Sequence, residues 1–153
     1  MSAEELTSNT PNDYVIRLTD YLESQIGKKF VWGETHCTAL VFGSIDAIYE
    51  TNYYDWHKET HNVDSKEKAL ALCASEETLK VFNDIGFMEI DLFSIRAGDV
   101  LYVASDGYEC CYVFTGSHFV SSRLEGLVRV TLYDDLVDYL KEKTYKIFTI
   151  VHK

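Results

Sequence analysis

Phe30-Val31-Trp32-Gly33-Glu34-Thr35-His36-Cys37 carries an aromatic loop and a turn glycine into a cysteine. The residues that follow decide how that cysteine is held. Thr38-Ala39-Leu40-Val41-Phe42-Gly43-Ser44-Ile45-Asp46-Ala47-Ile48-Tyr49 has the apolar spacing of a helix and puts Leu40, Gly43, Ala47 and Ile48 on one buried face. Cys37 then sits in the first turn of a core helix. Unpaired backbone N–H groups and the positive end of the helix dipole favour thiolate over thiol at such a position. The same residue also reads as a small buried apolar side chain, as free cysteines commonly are. Spacing alone supports both readings.

Upstream, Asn12 or Asp13 is placed to cap a helix in which Tyr14, Leu18, Tyr21, Leu22 and Ile26 recur at helical intervals, with Gly27 as its stop. Downstream the pattern fades at Glu50-Thr51-Asn52, and the polar, aromatic stretch through Tyr53, Tyr54, Trp56, His57 and His61 reads as a loop. Residues 65–74 and 75–84 read as two short helices. From residue 87 the period changes from helical to alternating, with strands expected at 87–90, 99–104, 110–115, 119–122, 127–131 and 146–152, and a last helix at 133–142. Ser105-Asp106-Gly107 and Thr115-Gly116-Ser117 supply turns. Helices grouped ahead of an antiparallel sheet predict an α+β domain with its helices against one face. The expected organisation is a loose tail over residues 1–11 and a single domain over 12–153.

The aromatic-Trp-Gly-x-x-x-Cys segment leading into a small-residue helix resembles the nucleophile region of the NlpC-type cell-wall peptidases, which have a papain-like fold. It resembles more closely a bacteriophage group of that superfamily encoded among tail genes. The likeness continues at Ala97-Gly98-Asp99-Val100-Leu101-Tyr102-Val103, similar to the family's Gly-Asp-apolar strand, and at Cys110-Cys111-Tyr112-Val113-Phe114-Thr115-Gly116, in the place of the strand that normally begins with the catalytic histidine. The resemblance implies a papain-like, NlpC-like α+β fold over roughly residues 12 to 152.

A cysteine peptidase needs a thiolate, a histidine to pair with it and protonate the leaving amine, and a polar residue to orient the histidine. Cys37 matches the first. In the family the histidine stands six residues before the glycine ending its strand, and that count from Gly116 reaches Cys110; the orienting residue falls at about Ser121 or Ser122. His118, at the start of the next strand, is the substitute base if the chain is active. His36 adjoins Cys37, but neighbouring residues at a helix start diverge by about a hundred degrees, which points its ring away from the sulfur. His57 and His61 stand at helical spacing, yet no third ligand accompanies them, so the expectation is a solvated loop and no metal. Trp32 and the Tyr53–Trp56 aromatics either line a sugar- or peptide-binding groove or belong to the core.

Composition narrows the partners. Fourteen Lys and Arg against 25 Asp and Glu give a net charge of −11, which repels nucleic-acid phosphates and anionic membrane surfaces and suits protein partners or a cationic ligand. The opening Met1-Ser2-Ala3-Glu4-Glu5 lacks the basic and apolar regions of a signal peptide, and no segment has the apolar length to span a bilayer. Cysteines at 37, 73, 110 and 111 do not follow zinc-ligand spacing, and adjacent Cys110 and Cys111 would face opposite sides of a strand. All four read as reduced thiols made in a cytosol.

Taken with the resemblance, these features imply a structural or assembly component of a bacteriophage virion, in the tail or tail tip, built on a degenerate peptidase fold. It would need no cofactor and would contact other tail proteins and peptidoglycan. The competing reading is an active cysteine hydrolase, with Cys37 as nucleophile, cutting peptidoglycan at the start of infection. A third is an intracellular protein that acts on host proteins.

Overall fold

The computed structural model describes residues 4–6, 9–105, 107–123 and 126–150. Five helices come first: α1 (Tyr14–Gln25), α2 (Cys37–Tyr49), α3 (Tyr53–His61), α4 (Lys66–Ser75) and α5 (Glu77–Asp84). The sheet follows, with β1 (Met88–Ile90), β2 (Val100–Ser105), β3 (Tyr108–Phe114), β4 (His118–Ser122), β5 (Val128–Leu132), then α6 (Tyr133–Leu140) and β6 (Tyr145–Thr149). A 3-10 turn at Leu92–Ser94 links β1 to β2. The six strands run in the order β1-β6-β2-β3-β4-β5, each antiparallel to its neighbour. The architecture is the expected α+β one. Part of the expected sixth strand, residues 151 and 152, lies outside the described residues, as do 1–3, 7 and 8 of the expected tail.

Three expectations need correction. The helices do not all lie against one face of the sheet. Val100, Tyr102, Cys111 and Val113 pack with α1, α2, α3 and α5, whereas Leu101, Val103, Tyr112, Phe114, Phe119 and Ile147 pack with Leu136 and Leu140 of α6. A strand covered on both sides loses its alternation, which is why β2 and β3 carry near-continuous apolar runs. Second, α2 is not buried on a single face. Cys37 through Ile45 are all buried, and Ile48 with them; α1, α3 and the β3–β4 strands surround it. Third, Leu6, inside the expected tail, is in the core, and its N–H donates to Ile85 O at 3.0 Å.

The segment expected as a loop at 53–61 is the helix α3, and its cause lies on another helix. The Asp46 carboxylate of α2 accepts from the N–H groups of Tyr53 (2.7 Å) and Tyr54 (2.9 Å), as well as from Thr51 Oγ1 (2.6 Å). It thereby satisfies donors that a helix leaves unpaired in its first turn. Asn62, in the left-handed region at φ 47°, ends the helix. At α1 the situation is reversed: neither Asn12 nor Asp13 caps through its side chain, and Asp13 instead pairs with Arg17 one turn on, at 3.0 Å.

Gly43 sets how closely α1 meets α2. A Cβ at that position would stand 1.9 Å from the Tyr21 hydroxyl and 2.4 Å from the ring carbon that carries it. Gly43→Ala should therefore cost about 1–3 kcal/mol through overpacking, despite the gain of up to about 1 kcal/mol that alanine brings to a helix interior. In a Tyr21→Leu background the same change should become neutral or stabilising. Urea-denaturation midpoints of the four proteins in the cycle test this; a Gly43→Ala variant more stable than the wild type would refute it.

Candidate functional site

The loop before α2 is tied to the sheet and then to itself. Gly27 N–H donates to Val128 O, Val128 N–H to Lys28 O, and Phe30 N–H to Gly126 O, so residues 27–30 run beside the start of β5. The Thr35 hydroxyl donates to Lys29 O and accepts from Val31 N–H, both at 2.7 Å. Gly33 has φ 82°, and a Cβ there would press on the Val63 carbonyl at 3.2 Å, so the loop needs glycine at this turn. This bracing delivers Trp32, His36 and Cys37 to one end of the domain.

A groove of about 400 Å³ opens there. Its walls include Phe30, Trp32, Cys37, Tyr108, Cys110 and Ser122. The groove thus collects Cys37 with Cys110 and Ser122, the residues found at the expected histidine and orienting positions. His118 is elsewhere. It begins β4, hydrogen-bonds Ser117 Oγ at 3.0 Å and faces a different depression beside Thr19 and Leu22. Ser122 is four residues further along the same strand, a separation of about 13 Å, so the structure does not bring His118 to Cys37. Of the two aromatic groups, Trp32 does line the groove, while Tyr53 and Trp56 are core residues.

The Cys37 thiol is 8% exposed and donates to Glu109 O at 3.3 Å. The thiols of Cys110 and Cys111 on β3 act on the same sulfur. The contact with Cys110 favours the thiolate, but the contact with Cys111 and burial outweigh it and push the thiol well above its usual range. Cys110 is raised too, by the neighbouring Cys37 thiol and then by burial. The help expected from the N-terminus of α2 is therefore overridden: a backbone carbonyl and thiols surround the sulfur, and none of these carries the positive charge that stabilises a thiolate. The Glu109 carboxylate on the same strand is committed as well, accepting from Thr78 Oγ1 (2.7 Å) and Tyr102 OH (2.9 Å).

Behind the thiol stands a row of three histidines that sequence reading missed. His57, expected in solvent, is 1% exposed and stacks on Phe42 with ring centroids 4.5 Å apart. Gly33 N–H donates to His36 Nδ1 at 2.9 Å, so a neutral His36 carries its proton on Nε2. That nitrogen is 3.4 Å from His57 Nε2, to which the Thr38 hydroxyl also comes within 3.2 Å. His57 then holds its proton on Nδ1, 2.6 Å from His61 Nδ1. Both ring nitrogens of His36 are thus used away from the Cys37 sulfur. The signal in the sequence was the His57/His61 spacing of one helical turn next to Trp56, but it meant little without the cap from Asp46. Among the described residues no cluster of His, Cys, Asp and Glu is arranged to hold a metal.

Burial pulls His36 down to about 4, with His61 adding to the effect, and His57 down to about 2, with His36 and His61 adding. Burial lowers His61 as well, partly offset by Glu77. The unfolded rings titrate near 6.5. Below that pH the unfolded chain binds protons that the folded one refuses, so this stability is complete above about pH 6.5 and is lost as pH falls toward 4. The loss should be on the order of 3 kcal/mol per buried ring by pH 4. Urea midpoints measured from pH 7.5 to 4.5 should fall steeply in the wild type and less steeply in His57→Leu, whose midpoint at pH 7.5 will itself be lower. A midpoint independent of pH would contradict the account.

No described helix is long and apolar enough to cross a membrane. Comparison with curated proteins finds no match. Among solved structures, the chain is similar to RipD from Mycobacterium tuberculosis, described as a non-catalytic NlpC/p60 domain protein with an adaptation to peptidoglycan-binding function; identity is 11% over 92% of this chain and 100% of that one, with a TM-score of 0.49. The family described as a domain of unknown function, DUF6950, matches residues 10–137. That span takes in α1, the Trp32 loop, Cys37, the histidine row and the groove strands β3 and β4, and the chain belongs to the DUF6950 family.

Proposed function

We propose that this chain is a non-hydrolytic component of a bacteriophage tail or tail tip, in which a papain-like, NlpC-like site has become a binding groove. The observation that carries the loss of hydrolysis is the surroundings of the Cys37 sulfur: the Glu109 carbonyl, Cys110 and Cys111. Peptide cleavage by a thiol requires an imidazole that pairs with the sulfur and returns a proton to the leaving group. Cys110 stands where the family has its histidine and lines the groove with Cys37, His36 is turned to Gly33 and His57, and His118 lies at the far end of β4. The resemblance of the Trp32–Cys37 segment and of the two strand motifs to tail-encoded proteins supports the place in the virion. Other tail proteins are the partners in this reading, with peptidoglycan as a further contact; the acidic, aromatic-rich composition agrees with protein contacts.

Three measurements test the reading. The chain should be detected by mass spectrometry in purified, intact particles; its absence from them would remove the virion assignment. Cys37→Ser should leave assembly and infectivity nearly unchanged, with a stability change within about 1 kcal/mol, because the serine hydroxyl can donate to the same Glu109 carbonyl. At neutral pH iodoacetamide should alkylate half-buried Cys73 before Cys37. Rapid, selective alkylation of Cys37, joined to peptidoglycan cleavage that the serine variant abolishes, would restore the hydrolase.

A further inference from the structure

The groove has hydrogen-bonding groups that the folded chain does not use. Ser122 is 4% exposed, lines the groove, and its Oγ has no hydrogen-bond partner among the described residues. The Tyr108 hydroxyl, on the facing strand end, is buried and equally unpartnered. Arg123 stands at the rim of the same groove, close enough to Cys110 to act on it electrostatically, and forms no ion pair with a described residue. Lys66 Nζ lies 5.9 Å from the Tyr108 ring centroid and adds positive potential. Buried hydroxyls left unpaired are costly, and the exposed Arg123 guanidinium puts a positive charge at the rim beside them. The Glu109 carboxylate does not answer them, since both its oxygens accept from Thr78 and Tyr102.

We propose that Ser122, Tyr108 and Arg123 form a receptor for the C-terminal carboxylate of a peptide whose last side chain is apolar. This deepens the reading of the groove as a non-hydrolytic binding site and rests on it. Two hydroxyl donors and one guanidinium match a singly charged, two-oxygen acceptor. A more highly charged phosphate would meet a single guanidinium and the overall acidity of the chain. The groove also offers apolar wall at Phe30, Trp32 and Leu72, beside polar His36, Thr38, Ser105 and Glu109. At a chain terminus the carboxylate and an apolar side chain share one carbon, so one residue satisfies donors and walls together; Asp and Glu side chains offer the carboxylate alone. A groove of about 400 Å³ accommodates two or three residues.

The test is calorimetric titration of the intact protein with the acetylated tripeptide Gly-Gly-Leu as the free acid, the same peptide as its C-terminal amide, and inorganic phosphate. The acid should bind, and the amide should bind about tenfold or more weakly. Arg123→Met and Ser122→Ala should each weaken the acid by about tenfold and leave the amide unchanged. Ser122→Ala removes a hydroxyl that has no partner, so the variant is expected to fold, and circular dichroism verifies it. Equal affinities for acid and amide, no heat from the acid at millimolar concentration with folded protein, or phosphate binding as tightly as the acid would each overturn the assignment. Mass spectrometry of the recovered peptide keeps the two readings apart: cleavage of the acid would defeat the non-hydrolytic reading even if the carboxylate preference held, whereas loss of that preference with an intact peptide would defeat only the receptor.

Discussion

The burial of α2 on nearly every side is the constraint from which the rest of the molecule follows. A helix in the middle of a domain cannot rely on water for any polar group it carries, so each must find a partner inside the protein. Ser44 turns its hydroxyl back to Leu40 O at 2.7 Å, and Asp46 receives the first amides of α3. Thr38 reaches His57, and Cys37 reaches the Glu109 carbonyl. Those four side chains connect α2 to itself, to α3 and to β3. They also determine where α3 starts, how deeply its histidines sit and which strand faces the thiol.

The same burial decides the chemistry of Cys37. A helix N-terminus near solvent stabilises a negative charge, by up to about 2 kcal/mol in favourable geometries. Desolvation of a thiolate in an interior without a cation works in the opposite direction and is larger. The groove therefore contrasts with the residue at its base: its sulfur is satisfied by the chain, whereas hydroxyls and a guanidinium at its wall and rim are not.

Much of this was legible in the sequence, and the parts that were not have physical reasons. The change of period near residue 87, the turn glycines and the position of Cys37 ahead of an apolar run are local, and local patterns report local structure. The placing of Cys110 and Ser122 at the thiol came from the order of motifs. By contrast, α3 depends on a carboxylate seven residues before its start, and no helix-capping pattern within residues 53–61 announces it. The two-sided cover of β2 and β3 erased the alternation that would have distinguished their faces. Tyr108 begins β3 and Arg123 follows β4, neither lies in a motif, and only the folded topology puts them in one groove with Ser122.

The histidine row has a direction. Each neutral imidazole has one donor and one acceptor nitrogen, so once Gly33 N–H occupies His36 Nδ1, the proton positions on His36, His57 and His61 are all assigned in sequence. A single peptide group in the Trp32 loop thus dictates the tautomer of a ring at the last residue of α3. The last nitrogen, His61 Nε2, is left holding a buried proton with no acceptor among the described residues. The three rings thus carry their protons in one sense, each donating toward the C-terminal end of α3, and the direction is set at the mouth of the groove by the Gly33 N–H.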